Sequence, residues 1–490
     1  MAGIGFQLRT LLDEGTYFGT LKGYLFATYL VAGPWIVTAA VIGLLTTMSG
    51  LHANDYAILR TAIVYCYAYS LIFTGTYQMP LTRYIADEIY LGRIQSLAPA
   101  YLGISLITIS VLGTFGMAYG LLFPLSWLFR FTFTACITTI GLLWVAGIFL
   151  GCLRNYHRIG VCYTVGSLFS FIGALYGRHL LGLDGAFLGF TAGQVCTLFG
   201  LSYGIISELG FPGLKPSFEC LEALGRFKLH LFIGLFYSLT IWVDKMIYWY
   251  SPIGETACRG LYSFGHYDSA IYISYVTIIP ALGMFMLSIE TSFYEAYRDF
   301  YGVIQHKFPL NAIRRRRDDI ERSLSYSFFE LLKIQGVITF LCFYFAPEVL
   351  SRFGFPTEML KTLRMGLWAA FFHALFLFGT LLLLYFDFKR EAFAGNAIHL
   401  SINATVTWYV MENRLAEYYA LGYLSASFVC AISVLVVLFY LLKNLIHITF
   451  LRERLPGERI ARPPVLGTDL RFGEIVMTRT EATPSQGDSG

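Results

Sequence analysis

The chain has 490 residues, of which 56% are hydrophobic and only 13% are charged, and its mean hydropathy is +0.61. Soluble domains carry roughly 25% charged residues, so this chain has too few charges to cover a globular surface in water. The composition excludes a soluble catalytic domain. It predicts an all-α integral membrane protein, because each apolar run must satisfy its own backbone hydrogen bonds inside a bilayer.

About twelve apolar runs approach the ~20 residues that a helix needs to cross a bilayer. We predict transmembrane helices at residues 24–48, 61–79, 101–123, 131–150, 159–175, 186–206, 230–250, 270–289, 328–345, 366–386, 391–411 and 420–442. The fifth run is diluted by glycines at positions 166, 173 and 177. Glycine is tolerated in membrane helices where two backbones approach closely.

The distribution of basic residues predicts the orientation. Lys and Arg in the N-terminus, the even-numbered loops and the C-terminus outnumber those in the odd-numbered loops about threefold. Both termini are therefore expected in the cytoplasm. No cleavable signal peptide is predicted, because charged residues precede a first run that is long enough to span. The nine cysteines have no C-x-x-C spacing, which favours packing over disulfides or a metal site, and no cofactor is expected.

The connections divide the chain into segments. We predict a cytoplasmic interfacial helix at 1–23, a first six-helix bundle at 24–206, a cytoplasmic linker at 207–229 and a second bundle at 230–442, followed by a cytoplasmic tail at 443–490. A basic cytoplasmic loop at 291–326 carries Arg314, Arg315, Arg316 and Arg317. This run is either an anchor to anionic lipid or a docking surface for a cytoplasmic partner.

The seventh run contains two charged residues, Asp244 and Lys245, in its outer third. Charges at membrane depth are costly and usually face a cavity or a partner. Tyr237, Asp244 and Tyr248 share one helix face. Adjacent residues do not face each other on a helix, so Asp244 and Lys245 are expected to have separate partners or to line a wet cavity. The alternative is an anchor in the aromatic belt.

A polar stripe in the eleventh run comprises Asn396, His399, Asn403 and Thr407. It predicts either a substrate path or hydrogen bonds between helices. His373 in the tenth run is expected to be packed rather than functional. Glu290 and Asp387 lie at inner helix ends, where they would flank a cytoplasmic mouth or simply lie at the surface. Possible hinges at Gly33, Pro34 and Pro280 complete the candidate residues.

Several segments resemble one known family. They are Met1–Arg9 (Met-Ala-Gly-Ile-Gly-Phe-x-Leu-Arg), Ala32-Gly33-Pro34-Trp35, Ile241-Trp242-Val243-Asp244-Lys245, Tyr248-Trp249, Ile279-Pro280, Ile289-Glu290-Thr291-x-Phe293, Tyr297-x-x-Phe300-Tyr301 and Tyr385-Phe386-Asp387. Taken in order, they resemble the Pel exopolysaccharide transporter family, PelG. The matches reach to about residue 445. The basic run at 314–317 is denser than that family leads us to expect, and the tail beyond about Pro456 has no counterpart in it.

This resemblance implies a MATE/flippase-like member of the multidrug/oligosaccharidyl-lipid/polysaccharide (MOP) exporter superfamily, with two six-helix bundles around a central cavity. It also implies export of an N-acetylgalactosamine-rich polymer across the bacterial inner membrane. The implied partners are a cytosolic glycosyltransferase (PelF-like) and two membrane proteins (PelD-like and PelE-like).

Three functional alternatives follow from the sequence. The first is a polysaccharide exporter whose path is lined by Tyr237, Asp244, Lys245, Tyr248, Asn396, His399 and Asn403. The second is a cation-coupled multidrug antiporter, which needs a deep acidic residue such as Asp244. The third is a scaffold for a synthase without transport activity. An enzyme is disfavoured, since the chain contains no H-E-x-x-H, P-loop or G-x-S-x-G motif.

Overall fold

The computed structural model describes residues 28–29, 40–45, 50–153, 155–210, 215–352 and 354–452. Helices dominate this part of the chain. In order they are α1 (Ala53–Tyr90), α2 (Leu97–Gly120), α3 (Trp127–Cys152), α4 (Tyr156–Leu209), α5 (Glu219–Arg226), α6 (Lys228–Trp249), α7 (Gly265–Val276), α8 (Ile279–Ser288), α9 (Tyr294–Gln305), α10 (Leu310–Arg352), α11 (Met359–Tyr385), α12 (Lys389–Glu412), α13 (Leu421–Lys443) and α14 (Leu445–Arg452). Two antiparallel strands, β1 (Glu255–Cys258) and β2 (Leu261–Ser263), form a hairpin between α6 and α7.

Within these described ranges, nine helices are long and apolar enough to cross a membrane. Each predicted span from 61–79 onward overlaps helical structure, although α1 and α10 extend well beyond the spans at 61–79 and 328–345. Span 24–48 is described only at 28–29 and 40–45, which are helical. The all-α membrane architecture is therefore confirmed. The interfacial helix at 1–23, Gly33, Pro34 and the tail after Arg452 lie outside the described residues.

The glycine-rich fifth span forms one limb of a tight helical hairpin. α4 reverses direction at Leu181 and Gly182, where Gly182 has φ = 59°. A Cβ atom on Gly173 would lie 2.6 Å from the carbonyl oxygen of Gly189, and one on Gly177 would lie 2.1 Å from that of Gly185. The close approach expected from these glycines is confirmed, and α4 supplies the fifth and sixth spans.

The predicted eighth span is not one continuous helix. α7 ends at Val276, and α8 begins at Ile279 with Pro280 in its first turn. Proline has no N–H to donate, so it is favoured in the first turn of a helix, where that N–H would have no acceptor within the helix. A π-helical turn at Ile289–Phe293 then joins α8 to α9. The predicted loop at 291–326 is largely helical, because α9 and the start of α10 occupy most of it.

The two halves of the chain meet along α1 and α6. In the first half, α3 packs against α1, α2 and α4; in the second, α6, α12, α13, α11 and α7 pack in succession. α1 and α6 cross closely at Gly75 and Gly234, where a Cβ on Gly234 would lie 2.2 Å from the carbonyl oxygen of Gly75. Within the first half, the Tyr29 hydroxyl donates to the Gly160 carbonyl at 2.8 Å.

Candidate functional site

A cavity of about 700 Å³ lies between the two halves. α1 contributes wall residues between Tyr56 and Tyr67, and α6 contributes residues between Ile241 and Trp249. These are the ends of both helices that lie beside the β1–β2 hairpin. On α1, Gly75 lies about two turns beyond the wall residue Tyr67. On α6, Gly234 lies about two turns before the wall residue Ile241. The tight crossing of α1 and α6 therefore lies on the side of the cavity away from the hairpin.

The wall of the cavity is rich in aromatic side chains contributed by both halves. Among them are Tyr56, Tyr67, Trp144, Trp242, Tyr272 and Tyr275. Several carry a polar atom fixed by a neighbour: the Trp144 indole donates to Ser70 at 3.3 Å, and the Tyr67 hydroxyl donates to Gln194 at 3.3 Å. Flat apolar faces with hydroxyl or indole groups at their edges suit ligands that present both C–H faces and hydroxyls.

The two charged residues of α6 form an ion pair with each other. Lys245 Nζ lies 3.2 Å from Asp244 Oδ1 and 2.9 Å from the carbonyl oxygen of Ile241. The Tyr267 hydroxyl donates to Asp244 Oδ2 at 2.5 Å. The expectation that Asp244 and Lys245 have separate partners is therefore wrong. The Cβ atoms of adjacent helix residues point in different directions. The lysine side chain is nevertheless long enough to fold back along the helix, so its terminal amine reaches the Asp244 carboxylate.

Lys245 also contributes to the cavity wall, whereas Asp244 is covered. Asp244 is 1% exposed and Lys245 is 7% exposed. The ammonium group of Lys245 lies 5.3 Å from the centre of the Tyr275 ring and 5.8 Å from that of Trp242. Cation–π contacts of this kind stabilise a cation that is withdrawn from water.

Two further charged residues of the wall, Arg60 and Asp268, were not among the candidates predicted from the sequence. Asp268 accepts hydrogen bonds from the Trp249 indole at 2.9 Å and from the Phe264 backbone N–H at 3.1 Å. Arg60 and Asp268 flank predicted spans by one and two residues, so the sequence placed them in external loops. The signal that would have found them is a charged residue at the end of a predicted span, on the same side of the membrane as charged residues at the ends of other spans.

The polar stripe of α12 is buried between helices. Asn396, His399, Asn403 and Thr407 are each at most 1% exposed. The Asn403 amide donates to the Thr240 carbonyl on α6 at 3.3 Å, and the Thr407 hydroxyl donates to Asn403 Oδ1 at 3.2 Å. His399 Nε2 pairs with the Ser427 hydroxyl on α13 at 3.2 Å. The stripe therefore joins α12 to α6 and α13.

His373 belongs to the same buried region. Its ring centre lies 5.5 Å from that of His399 and 5.6 Å from that of Tyr423. Tyr248 is fully buried, and its hydroxyl donates to the Tyr419 carbonyl at 2.7 Å. Of the seven residues predicted to line a path, Lys245 alone is in the wall of this cavity.

The remaining candidates lie elsewhere. Asp387 is half exposed and pairs with Lys389 at 3.0 Å. Glu290 lies in the π-helical turn. Arg316 and Arg317 pair with acidic residues of α9 and α10, whereas Arg314 and Arg315 are exposed. Over the part of the chain that the structure describes, no group of three His, Cys, Asp or Glu side chains is arranged to hold a metal ion.

This helical membrane fold is also that of solved MATE-type transporters. The chain is similar to an outward-facing multidrug resistance MATE family transporter of the MOP superfamily, with a TM-score of 0.60 at 16% identity over 86% of this chain and 96% of that one. An inward-facing MATE structure gives a TM-score of 0.58 at 14% identity, covering 86% and 99% of the two chains. A MOP superfamily transporter from Pyrococcus furiosus, whose binding pocket is described as reversed in polarity, gives 0.58 at 16% identity, covering 86% and 96%.

The sequence itself shows the family. The family model PelG, described as "Putative exopolysaccharide Exporter (EPS-E)", matches residues 1–450. The chain therefore belongs to the PelG family, and its fold is similar to that of transporters of the MOP superfamily. No curated protein sequence matches the chain. The resemblance seen in the sequence motifs and the two-bundle fold that it implies are both confirmed.

Proposed function

We propose that this protein exports a growing N-acetylgalactosamine-rich exopolysaccharide from the bacterial cytoplasm through the cavity between its two halves. The aromatic wall carries this proposal, because stacking rings with fixed polar edges complement sugar units. Membership in the PelG family and the MATE-like fold support a membrane exporter. The proposal places the protein in the inner membrane and includes PelF-like, PelD-like and PelE-like partners.

The sidedness of the proposed transport comes from the charge bias. With both termini in the cytoplasm, α6 runs outward and the hairpin lies at the outer face. The cavity then faces outward, and the Gly75–Gly234 crossing lies on its cytoplasmic side. The buried stripe of Asn396, His399 and Asn403 would reach the substrate only in another conformation, in which α6 and α12 separate. Glu290 and Asp387 would then flank the cytoplasmic entrance, and Gly33, Pro34 and Pro280 are the proposed hinges.

The simplest test measures amino-sugar polymer on both sides of the cytoplasmic membrane, with and without this gene. Loss of external polymer, while the synthase remains present and active when assayed, is the expected result. Unchanged secretion together with new sensitivity to cationic dyes would instead identify the antiporter. The structure disfavours that alternative, because Asp244 is already bound by Lys245 and Tyr267.

Replacing aromatic wall residues should weaken export without unfolding the protein. For Trp144→Ala and Tyr272→Ala we expect about a threefold to tenfold loss of exported polymer, the effect of removing one stacking ring. The matched controls are Trp408→Ala and Tyr440→Ala, whose side chains are 57% and 64% exposed outside the cavity wall. Quantification of secreted polymer at equal transporter levels makes the comparison. Equal losses in controls and wall variants would reject the cavity as the path.

The charges around the cavity favour a neutral polymer. Asp268 already accepts hydrogen bonds from Trp249 and Phe264, and Asp244 is paired with Lys245. The described wall carries Arg60 and Lys245 beside Asp268, so it has no excess negative charge to attract a protonated amine. Outward movement of a cation against a negative interior also costs about 2.3 kcal/mol per charge per 100 mV. We expect the polymer to cross in its N-acetylated form.

This expectation is tested with the purified full-length transporter in nanodiscs. N-acetylgalactosamine oligosaccharides should bind more tightly than the same oligosaccharides after complete deacetylation, at a pH where their amines are protonated. Calorimetric titration measures both affinities. Tighter binding of the deacetylated chains, or free amines on polymer recovered from the cytoplasm, would contradict the proposal.

A further inference from the structure

The β1–β2 hairpin of the second half is fastened to the first half by tyrosine hydroxyls. The Tyr65 hydroxyl on α1 donates to the Tyr262 carbonyl at 3.0 Å and lies 3.2 Å from the Tyr262 backbone nitrogen. The Tyr119 hydroxyl on α2 donates to the Gly260 carbonyl at 2.9 Å. These bonds engage the hairpin backbone. They hold its turn in one place while leaving its side chains free to meet a ligand.

A second cavity, of about 300 Å³, lies beside this turn. Its wall comprises Tyr119, Leu122, Tyr250, Arg259, Gly260 and Tyr262. Tyr262 also belongs to the wall of the main cavity, so the two cavities share a wall residue. The volume is at the lower end of the ~300–1,000 Å³ range of small-molecule sites, which suits one sugar unit better than a chain segment.

The groups that line this second cavity match a sugar. The rings of Tyr250 and Tyr262 meet at 65° with centres 5.6 Å apart, which forms an aromatic corner. The Tyr250 hydroxyl is held between those of Tyr69 at 2.7 Å and Tyr119 at 3.0 Å, so its ring position is fixed. Tyr250 is nevertheless 51% exposed. A preorganised ring face of this kind binds an apolar sugar face with little loss of conformational entropy.

Arg259 supplies the directional contact. Its side chain is exposed at the hairpin turn and makes no ion pair with the described residues. A guanidinium offers five N–H donors in a rigid fork, which suits the carbonyl oxygen of an acetamido group together with a neighbouring hydroxyl. Because no carboxylate among the described residues pairs with Arg259, these donors are available to an uncharged ligand.

We propose that this second cavity is an exit subsite that holds one N-acetylated sugar unit of the polymer after it leaves the main cavity. The inference rests on the proposed export function and extends it to a second binding position at the outer face. The aromatic corner stacks on the sugar ring, and Arg259 donates to the acetamido carbonyl.

The test uses the full-length transporter in nanodiscs and an N-acetylgalactosamine tetrasaccharide as the probe. Arg259→Ala should weaken calorimetric binding about tenfold, as expected for loss of a charge-assisted hydrogen bond. Arg259→Lys should give an intermediate affinity, because it keeps the positive charge but loses the planar set of N–H donors of the guanidinium. The matched control is Arg352→Ala, which removes an exposed arginine at the end of α10 that lines neither cavity.

Secretion by the same variants separates this inference from the proposed function. If Trp144→Ala weakens binding and export while Arg259→Ala matches the wild type, export stands and the exit subsite is rejected. Equal weakening by Arg259→Ala and Arg352→Ala would also reject it, since a general charge effect would explain both. No binding to the wild type, with unaltered secretion after gene deletion, would reject both proposals.

Discussion

Replacement of Asp244 by asparagine is expected to destabilise the protein by about 3–5 kcal/mol, because it leaves the buried ammonium of Lys245 without its counter-charge. The carboxylate is 1% exposed and the lysine 7% exposed, so little water is available to replace the lost partner. The hydrogen bond from the Tyr267 hydroxyl does not compensate for the lost ion pair, because its acceptor is the carboxylate that is replaced. Thermal unfolding in detergent, followed by tryptophan fluorescence, measures the effect.

The double variant Asp244→Asn/Lys245→Met provides the control. It removes both charges while keeping similar side-chain volumes, and an ion pair replaced by neutral groups is often tolerated. We expect it to regain most of the stability that Asp244→Asn loses. If the double variant is as unstable as Asp244→Asn, the damage does not come from an unpaired lysine. Export by the double variant then reports separately whether Lys245 acts on the substrate from the cavity wall.

Gly234→Ala is expected to abolish most export by separating α1 from α6 at their crossing. The new methyl carbon would lie 2.2 Å from the Gly75 carbonyl oxygen, a backbone atom that cannot rotate away. Overpacking of this kind costs about 1–3 kcal/mol, which shifts the equilibrium constant away from the conformation closed at this crossing about 5- to 150-fold. Secreted polymer and the thermal midpoint are measured together.

Gly147→Ala is the matched control, because a Cβ at position 147 meets nothing within 4 Å. It should leave export unchanged. Gly75→Ala approaches the same crossing from α1, where its Cβ would lie 1.9 Å from the Ser238 hydroxyl oxygen, and should resemble Gly234→Ala. Export by Gly234→Ala at the level of Gly147→Ala would show that the tight crossing is not needed for transport.

Part of the candidate site followed from the sequence. Asp244 and Lys245 stood out because charges at membrane depth are rare, and the structure places Lys245 in the cavity wall. Arg60 and Asp268 were missed because they lie just beyond predicted spans. The aromatic wall residues were also missed, since tyrosine and phenylalanine are frequent along the whole chain and composition does not distinguish a cavity from a lipid-facing surface.

For the polar stripe, helical periodicity predicts which residues share a face but not what that face contacts. The helical repeat correctly placed Asn396, His399 and Asn403 on one face of α12. It could not decide whether that face meets a cavity or another helix. The structure brings Thr240 of α6 and Ser427 of α13 against the stripe, and neither contact is visible in the local sequence of α12.

The sequence by itself determined the membrane class, the helical spans and the family of this protein. It could do so because each span satisfies its own backbone hydrogen bonds, which makes hydropathy and length local properties. Only the tertiary structure decided where the cavity lies, that Asp244 and Lys245 pair with each other, and that the hairpin crosses to the first half. These features depend on which distant helices meet, and close packing selects those neighbours through the shapes of all the side chains together.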